Sequence, residues 1–321
     1  MRVVMTGGGG FIGSHLLARL VGAGMDVTLV GSSTGKSRYT ASLVAAGAVR
    51  FLRCDDGFGE DDVLRPALAD ADALLLLGYV MPSALSPARR LSEELIQNVA
   101  PLVRLLRAAE GGTRQVLFAS SVGVYGSRAS APVSETDAPR PETPFAIAKL
   151  ASEESIEIVC AEAGWTPSIL RYATVYGPGE TVGRAIPNFI RAALDGHPAV
   201  IDGAGLDEHD YVHVADVVDA TMSTLRRRAA GVFNIGSGIG TSTLDLARLV
   251  GRLAGAEAEP ISRRVNRPSA GPVRVVCATE LARRDLGFSA SRSLADGITE
   301  EIGWFRSALD FAGRTMLAAS A

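Results

Sequence analysis

The chain has 321 residues, 47% of them hydrophobic, enough for two domains or for one large α/β domain with an appended lobe and a sizeable core. A formal net charge of −3, with Arg, Asp and Glu interspersed rather than blocked, leaves no stripe to track a phosphate backbone, so no nucleic-acid partner is expected. The three cysteines, Cys54, Cys160 and Cys277, form no C-x-x-C pair, no leader precedes the strand-like Val3-Val4-Met5, and no run approaches the roughly 20 apolar residues of a membrane span; a reducing cytoplasm is expected, without disulfide framework, zinc or membrane.

Over the first 120 residues, short β-branched or leucine-rich runs alternate with helical patterns. They predict strands at about 2–6, 26–31, 48–53, 73–77 and 115–119, with helices near 11–23, 39–46, 62–69 and 91–110 between them. Gly22, Gly24, Gly47, Gly111 and Gly112 are stop signals where helices hand over to strands. The runs Leu74–Leu77 and Val116–Ala119 are continuously apolar, as strands covered on both faces must be. A doubly wound parallel sheet is the expected α/β fold class. A Pro-rich loop from Ala131 to Pro144, a helix over 145–163 and a strand at 167–172 extend it. Past Gly177, Gly and Pro cluster in Tyr176-Gly-Pro-Gly179, Gly196-His-Pro198 and Asp202-Gly-Ala-Gly205, predicting a smaller mixed α/β C-terminal lobe. The expected division is a dinucleotide-binding domain over 1–176, with contributions from about 208–238, and a substrate lobe over 177–321. The Ala-rich tail from Met316 is expected to fray.

Met5-Thr6-Gly7-Gly8-Gly9-Gly10-Phe11-Ile12-Gly13 follows the first strand and opens the first helix. A glycine-rich turn placed there leaves backbone N–H groups unobstructed at a helix N-terminus, where a pyrophosphate is stabilised, and this is the mark of a Rossmann fold. Gly7, Gly10, Phe11, Ile12 and Gly13 are therefore cofactor candidates. NAD-binding folds usually end the second strand with Asp or Glu. Here Gly31 stands there, followed by Ser32, with Lys36 and Arg38 nearby, a pattern that favours NADP(H) over NAD(H) because nothing repels a 2′-phosphate. Asp55, after the third strand, is placed to bond the adenine amino group.

These segments, with later ones, resemble the extended short-chain dehydrogenase/reductases, in particular the NAD(P)-dependent, nucleotide-sugar epimerase/dehydratase branch. The resemblance spans nearly the whole chain: Asn98-Val99, Ser120-Ser121-Val-Gly-Val-Tyr-Gly126, Arg171-Tyr-Ala-Thr-Val-Tyr-Gly-Pro-Gly179, Ile186-Pro-Asn-Phe189, Asp210-Tyr-Val-His-Val214 and Phe233-Asn-Ile-Gly-Ser-Gly238 fall in the family's order. It implies a nicotinamide that exchanges a hydride with an oxygen-bearing carbon, Leu76, Asn98, Lys149, Tyr172 and Val175 as further cofactor contacts, Ser121 as the hydroxyl on the substrate oxygen, and a homodimer through the helices near 91–110 and 145–163. The family's Tyr-x-x-x-Lys pair, in which lysine lowers the pKa of a proton-transferring tyrosine, reads Phe145-Ala-Ile-Ala-Lys149. Phenylalanine carries no ionisable proton. Three readings stay open: a Tyr→Phe change made to trap a complex, another proton group such as Tyr79, Tyr125, Tyr172 or a water held by Ser121, or a protein that has lost redox turnover.

Other departures bear on the substrate. The acid pair that the family's 4,6-dehydratases carry before Val-Tyr-Gly is Val122-Gly123, so dehydration is not expected and epimerisation or carbonyl reduction is. The family's diphosphate-gripping Arg is His209, its Asn before Val-Tyr-Gly is Thr174, and its fourth strand ends in Leu76-Leu77-Gly78-Tyr79. Tyr79, Thr174, Arg184, His209 and Arg267 are the substrate candidates, with a nucleotide sugar as leading substrate and a non-sugar natural product as alternative. His15, His197 and His213 lack metal-ligand spacing and are expected to be structural, and Glu135 and Asp137 are expected to solvate their loop.

Overall fold

The first strand, β1 (Arg2–Thr6), buries four of its five residues, and the strands Ala73–Leu76 and Gln115–Ser121 bury all four and six of seven, so the centre of the sheet they form is covered on both faces. The computed structural model describes residues 1–35, 37–54, 64–81, 87–109, 114–127, 132–256, 258–263 and 272–319. Along the chain follow α1 (Phe11–Gly22), β2 (Asp26–Gly31), α2 (Arg38–Ala45), β3 (Arg50–Arg53), α3 (Leu64–Ala69), β4 (Ala73–Leu76), α4 (Pro87–Glu94), α5 (Ala100–Ala108), β5 (Gln115–Ser121), α6 (Pro144–Ala163) and β6 (Thr166–Tyr172). Beyond them lie β7 (Thr174–Tyr176), α7 (Ala185–Leu194), β8 (Val200–Asp202), β9 (Glu208–His213), α8 (Val214–Arg227), β10 (Gly231–Ile235), β11 (Gly240–Ser242), α9 (Thr243–Ala254), β12 (Ile261–Arg263), β13 (Arg274–Val275) and α10 (Leu294–Ala319).

Seven strands in the order β10-β6-β5-β4-β1-β2-β3 pair in parallel to make a Rossmann-like sheet, as the alternating pattern predicted. Chain order reverses between β1 and β4, and a crevice opens at the carboxyl ends of the strands at such a switch point. One face is packed by α1 and α8 through Leu16, Leu17, Val217 and Leu225, the other by α3, α5 and α6 through Leu68, Leu105 and Ile156. A third core, built by Tyr176, Phe189, Leu246 and Ile298, joins α7, α9 and α10. Small sheets sit in this later part: β9 pairs with β7, β11 and β13, and β8 with β12. No helix among the described residues is long and apolar enough to cross a membrane.

Two elements differ from the expectation. The helix expected over 91–110 is composite: between α4 and α5 the turn Leu95–Val99 is π-helical, with Ala100 N–H donating to the Leu95 carbonyl. Pro101 follows at once and has no N–H for the ordinary ladder, so the wider turn ends the loss within one residue. The tail expected to fray from Met316 is helical to Ala319, consistent with the high helix propensity of alanine.

Candidate functional site

A cleft of about 1370 Å³ runs along the switch point, above the roughly 300–1,000 Å³ of a typical small-ligand site. Its floor is the glycine turn, Thr6 to Phe11, and its walls include Ser32, Leu76, Tyr79, Asn98 and Leu105. Gly7 has φ +75°, and a Cβ on it would stand 2.6 Å from the Gly78 nitrogen; one on Gly13 would stand 2.0 Å from the Gly7 oxygen. Gly10 caps α1 without any side-chain hydrogen bond, and no acidic residue occupies the first turn. The helix therefore presents its N–H groups and positive dipole end to the cleft without a competing anion, which fits a pyrophosphate. Thr40, fully buried, ties α2 to this turn by donating to the Gly8 carbonyl at 2.9 Å.

The second part of the site lies where β4, β5 and α6 meet. Thr143 caps α6 by accepting from Ala146 N–H at 3.2 Å and Pro144 follows at the first turn, which fixes the register of the next residues. That register brings Phe145 and Lys149 to one face, as the i, i+4 spacing predicted. The Lys149 ammonium donates to the Ala119 carbonyl at 2.7 Å and lies among three rings, at 4.5 Å from the centre of Tyr79, 4.8 Å from Phe118 and 5.8 Å from Phe145. Burial pushes its pKa down to about 7, with Glu153 and Glu94 acting in the opposite direction. Ser121 accepts from Gly123 N–H at 3.1 Å; a Cβ on Gly123 would stand 3.3 Å from Ser121 Oγ and 3.9 Å from Phe145 Cε1, so the serine and the phenylalanine share one corner.

Tyr79 stands between these two parts. It lines the cleft, packs edge-on against Phe145 with ring centres 5.1 Å apart, covers Lys149 and donates its hydroxyl proton to Glu94 Oε2. Burial, the hydrogen bond and the charge of Glu94 push its pKa far up. Asn98, in the π-helical turn, accepts from Val80 N–H at 2.7 Å and donates to Val80 O at 3.0 Å and to Glu94 Oε2 at 3.2 Å, so its amide holds the β4–α4 loop.

Other expected residues are placed differently. Tyr172 and Val175 are buried in the core rather than on the cleft wall; the Tyr172 hydroxyl pairs with Thr221 at 2.9 Å. Ile12 packs against the same core. Thr174, Arg184 and His209 belong to β7, the N-cap of α7 and β9, and none lines the cleft; Arg184 lies 3.9 Å from Glu180, and His209 packs on Tyr211. Asp55, Lys36 and Arg267 lie outside the described residues, as does the side chain of Arg38. Glu135 does more than solvate its loop: it accepts from Asn234 N–H at 2.7 Å and ties the loop to β10, whereas Asp137 accepts from Ser134 in its own turn. Sequence reading missed Glu94 and Phe118. Glu94 precedes Asn98 by one i, i+4 step on a helical face, and that spacing was the available signal.

Residues 3–236 match the model of the NAD dependent epimerase/dehydratase family. A UDP-glucose 4-epimerase of Mycolicibacterium smegmatis is 32% identical over 326 residues, covering 95% of this chain and 99% of the relative. The UDP-glucose 4-epimerase of Thermotoga maritima with UDP-glucose superposes with a TM-score of 0.82 at 28% identity, covering 96% of this chain and all of that one. A tyrosine-to-phenylalanine mutant of the Bacillus cereus UDP-glucuronic acid 4-epimerase, in complex with a 4-deoxy-4-fluoro substrate analogue and NAD, gives 0.84 at 25% identity, with 96% and 100% covered. Further relatives are a nucleotide-sugar decarboxylase and nucleotide-sugar 4,6-dehydratases. A glycine turn at the switch point, a Lys149 centre beside it and this full-length similarity carry one conclusion: the chain belongs to the NAD-dependent epimerase/dehydratase family of oxidoreductase- and isomerase-type enzymes.

Proposed function

We propose that this protein is a nicotinamide-dependent enzyme of epimerase/reductase type that acts at a hydroxyl- or ketone-bearing carbon of a nucleotide sugar. The observation that carries the reading is the continuity of the cleft from an uncapped α1 to Tyr79, whose ring lies on Lys149 and Phe145. When bound, the nicotinamide would take a hydride from the sugar carbon and return it to the same carbon. The glycine turn holds the pyrophosphate, Lys149 supplies positive charge at the reacting end, and Ser121, whose oxygen already accepts from Gly123, turns its proton to the substrate oxygen. Val122 and Gly123 put no acid beside the sugar, which favours epimerisation or reduction over loss of a hydroxyl.

UDP is the leading carrier because the M. smegmatis relative is a UDP-glucose 4-epimerase. The B. cereus neighbour holds NAD; in this chain the lack of a carboxylate after Gly31 supports NADP(H) as the preferred form. Exposed Ile96 and Ile158, on the π-helical turn and α6, support a homodimer through those helices, with twice the monomer mass expected in light scattering; the three buried thiols suit the cytoplasm.

Calorimetric titration tests the reading. Protein loaded with NAD or NADP is titrated with UDP, dTDP, GDP and CDP, and the tightest pair is then incubated with the corresponding 4-epimeric sugars and followed by NMR. UDP is expected to bind tightest, NADP tighter than NAD, and UDP-glucose to interconvert with its 4-epimer. Absence of binding to all four nucleotides overturns the nucleotide-sugar reading and leaves His209, standing where the family has arginine, as the residue responsible.

A further inference from the structure

Removing a hydride from an alcohol carbon requires that the hydroxyl proton leave at the same time, and a group that receives it must reach the substrate oxygen and tolerate the proton. Phe145 offers no such group. The three tyrosines named as substitutes are not equivalent. Tyr125 is fully buried, with its hydroxyl donating to Asn234 Oδ1 at 2.8 Å and accepting from Arg171 Nη1 at 2.9 Å. Tyr172 is buried against Thr221. Tyr79 alone of the three lines the cleft and touches both Phe145 and Lys149, and its phenol proton already points to a carboxylate.

That carboxylate has an unusual setting. Glu94 is wholly buried; Oε2 accepts from Tyr79 and from Asn98, whereas Oε1 has no hydrogen-bond partner among the described residues and meets Arg90 Nε only as an ion pair at 3.6 Å. A buried polar oxygen without a hydrogen-bond partner is rare in folded proteins and points to a role beyond packing. The groups facing the pair are Lys149 from α6, Arg90 from α4 and, behind Lys149, Glu153.

We propose that Tyr79 and Glu94 together form the proton relay of this site, Tyr79 Oη receiving the substrate hydroxyl proton while its own proton passes to Glu94 Oε2. The inference rests on the nucleotide-sugar reading above. As the substrate O–H bond breaks and the carbonyl forms, Tyr79 ends neutral and Glu94 ends protonated; a bound oxidised nicotinamide would supply the hydride acceptor, and the negative charge lost at the carboxylate would match the positive charge lost there. Re-reduction runs the same transfers backwards. The Lys149 ammonium over the ring face stabilises negative charge building on the phenol during the exchange.

The test joins turnover to a readout that needs none. In the loaded enzyme, Tyr79→Phe and Glu94→Gln are each expected to lower kcat for UDP-glucose at least about 100-fold while UDP binds within a factor of two, and Phe145→Tyr added to Tyr79→Phe is expected to restore a good part of the loss. Independently, in wild-type protein labelled with ¹³C at tyrosine Cζ, one of six resonances, assigned by its loss in Tyr79→Phe or its displacement in Glu94→Gln, is expected to move when UDP-glucose is added to the cofactor-loaded protein but not when UDP is added. Wild-type turnover in Tyr79→Phe, or a Tyr79 resonance that moves with cofactor alone and no further with UDP-glucose, overturns the relay and leaves Tyr79 as a cover over Lys149. Failure of UDP and UDP-glucose to bind at all shows up in calorimetry and overturns the nucleotide-sugar reading first, and the relay with it.

Discussion

A single oxygen separates Phe145 from the tyrosine that the family resemblance places four residues before Lys149. With no phenol at 145, the Lys149 ammonium has, among the described residues, one oxygen partner, Ala119 O, and three aromatic faces. Such an enclosure is favourable to a cation, yet burial dominates and brings the pKa to about 7. Phe145→Tyr would return a hydroxyl to the corner that Phe145 shares with Ser121. If Tyr79 and Glu94 carry the proton, this variant changes kcat less than about tenfold; a gain of 100-fold or more in steady-state assays would mean that position 145 is the seat of the proton group and that Tyr79 is a bystander. The placing of Phe145 and Lys149 on one face was legible in the sequence because they form an i, i+4 pair in one helix. The partnership of Tyr79 and Glu94 was not, since it crosses from a loop after β4 to α4, 15 residues later, and no local period links them.

At the scale of elements, α6 connects the site to the sheet. Lys149, Glu153, Ile156 and Cys160 fall at helical spacing and are all buried. Lys149 reaches β5, and Glu153 accepts from Ser120 of β5 and from Arg171 of β6, with Arg171 Nη2 at 2.6 Å. Arg171 passes the network on to Tyr125, and Tyr125 to Asn234 of β10. Glu153→Ala strips a buried guanidinium of its counter-charge and is expected to cost about 3–5 kcal/mol in urea unfolding. Adding Arg171→Met should recover part of that, because no orphan charge then remains; a loss under about 1 kcal/mol for Glu153→Ala would show the pair to be solvated. The helix expected over 145–163 agrees with α6 (Pro144–Ala163), which Gly164 closes at a φ of +67°. The π-helical turn before α5 was not legible, because the apolar period runs through it and only Pro101 marks the change.

On the scale of the whole molecule, a doubly wound parallel sheet followed from alternating runs and one glycine turn, since neighbouring βαβ units have few ways to connect, whereas the strand order and the edge strand β10 came only with the structure. The small sheets did not follow either, because β9 recruits partners from before and after it in the chain: β7, β11 and β13. Where that region meets α10, two carboxyls are buried: Glu180, just past Gly179, and Glu301 on α10. Burial pushes Glu180 up to about 7 and Glu301 up to about 8, the latter aided by the charge of Glu180. Above the ordinary value of 4.5 the unfolded chain has released these protons, while the native state keeps them until about 7 and 8. The native state then binds more protons, so the contribution of both groups is full below pH 4.5 and drains away as pH rises towards 8. Lys149 acts oppositely: its pKa falls from 10.5 to about 7, so its share of stability improves between those values. A wild-type melting curve mixes the two trends, and a variant separates them. Glu301→Gln cannot lose a proton, so its Tm relative to wild type should climb by a few degrees between pH 5 and pH 8 and then level off. Glu180→Gln should show the same climb ending about one pH unit lower. If the difference between Glu301→Gln and wild type stays constant from pH 5 to 8, Glu301 is ionised in the native protein and water reaches the junction between α10 and the loop after β7.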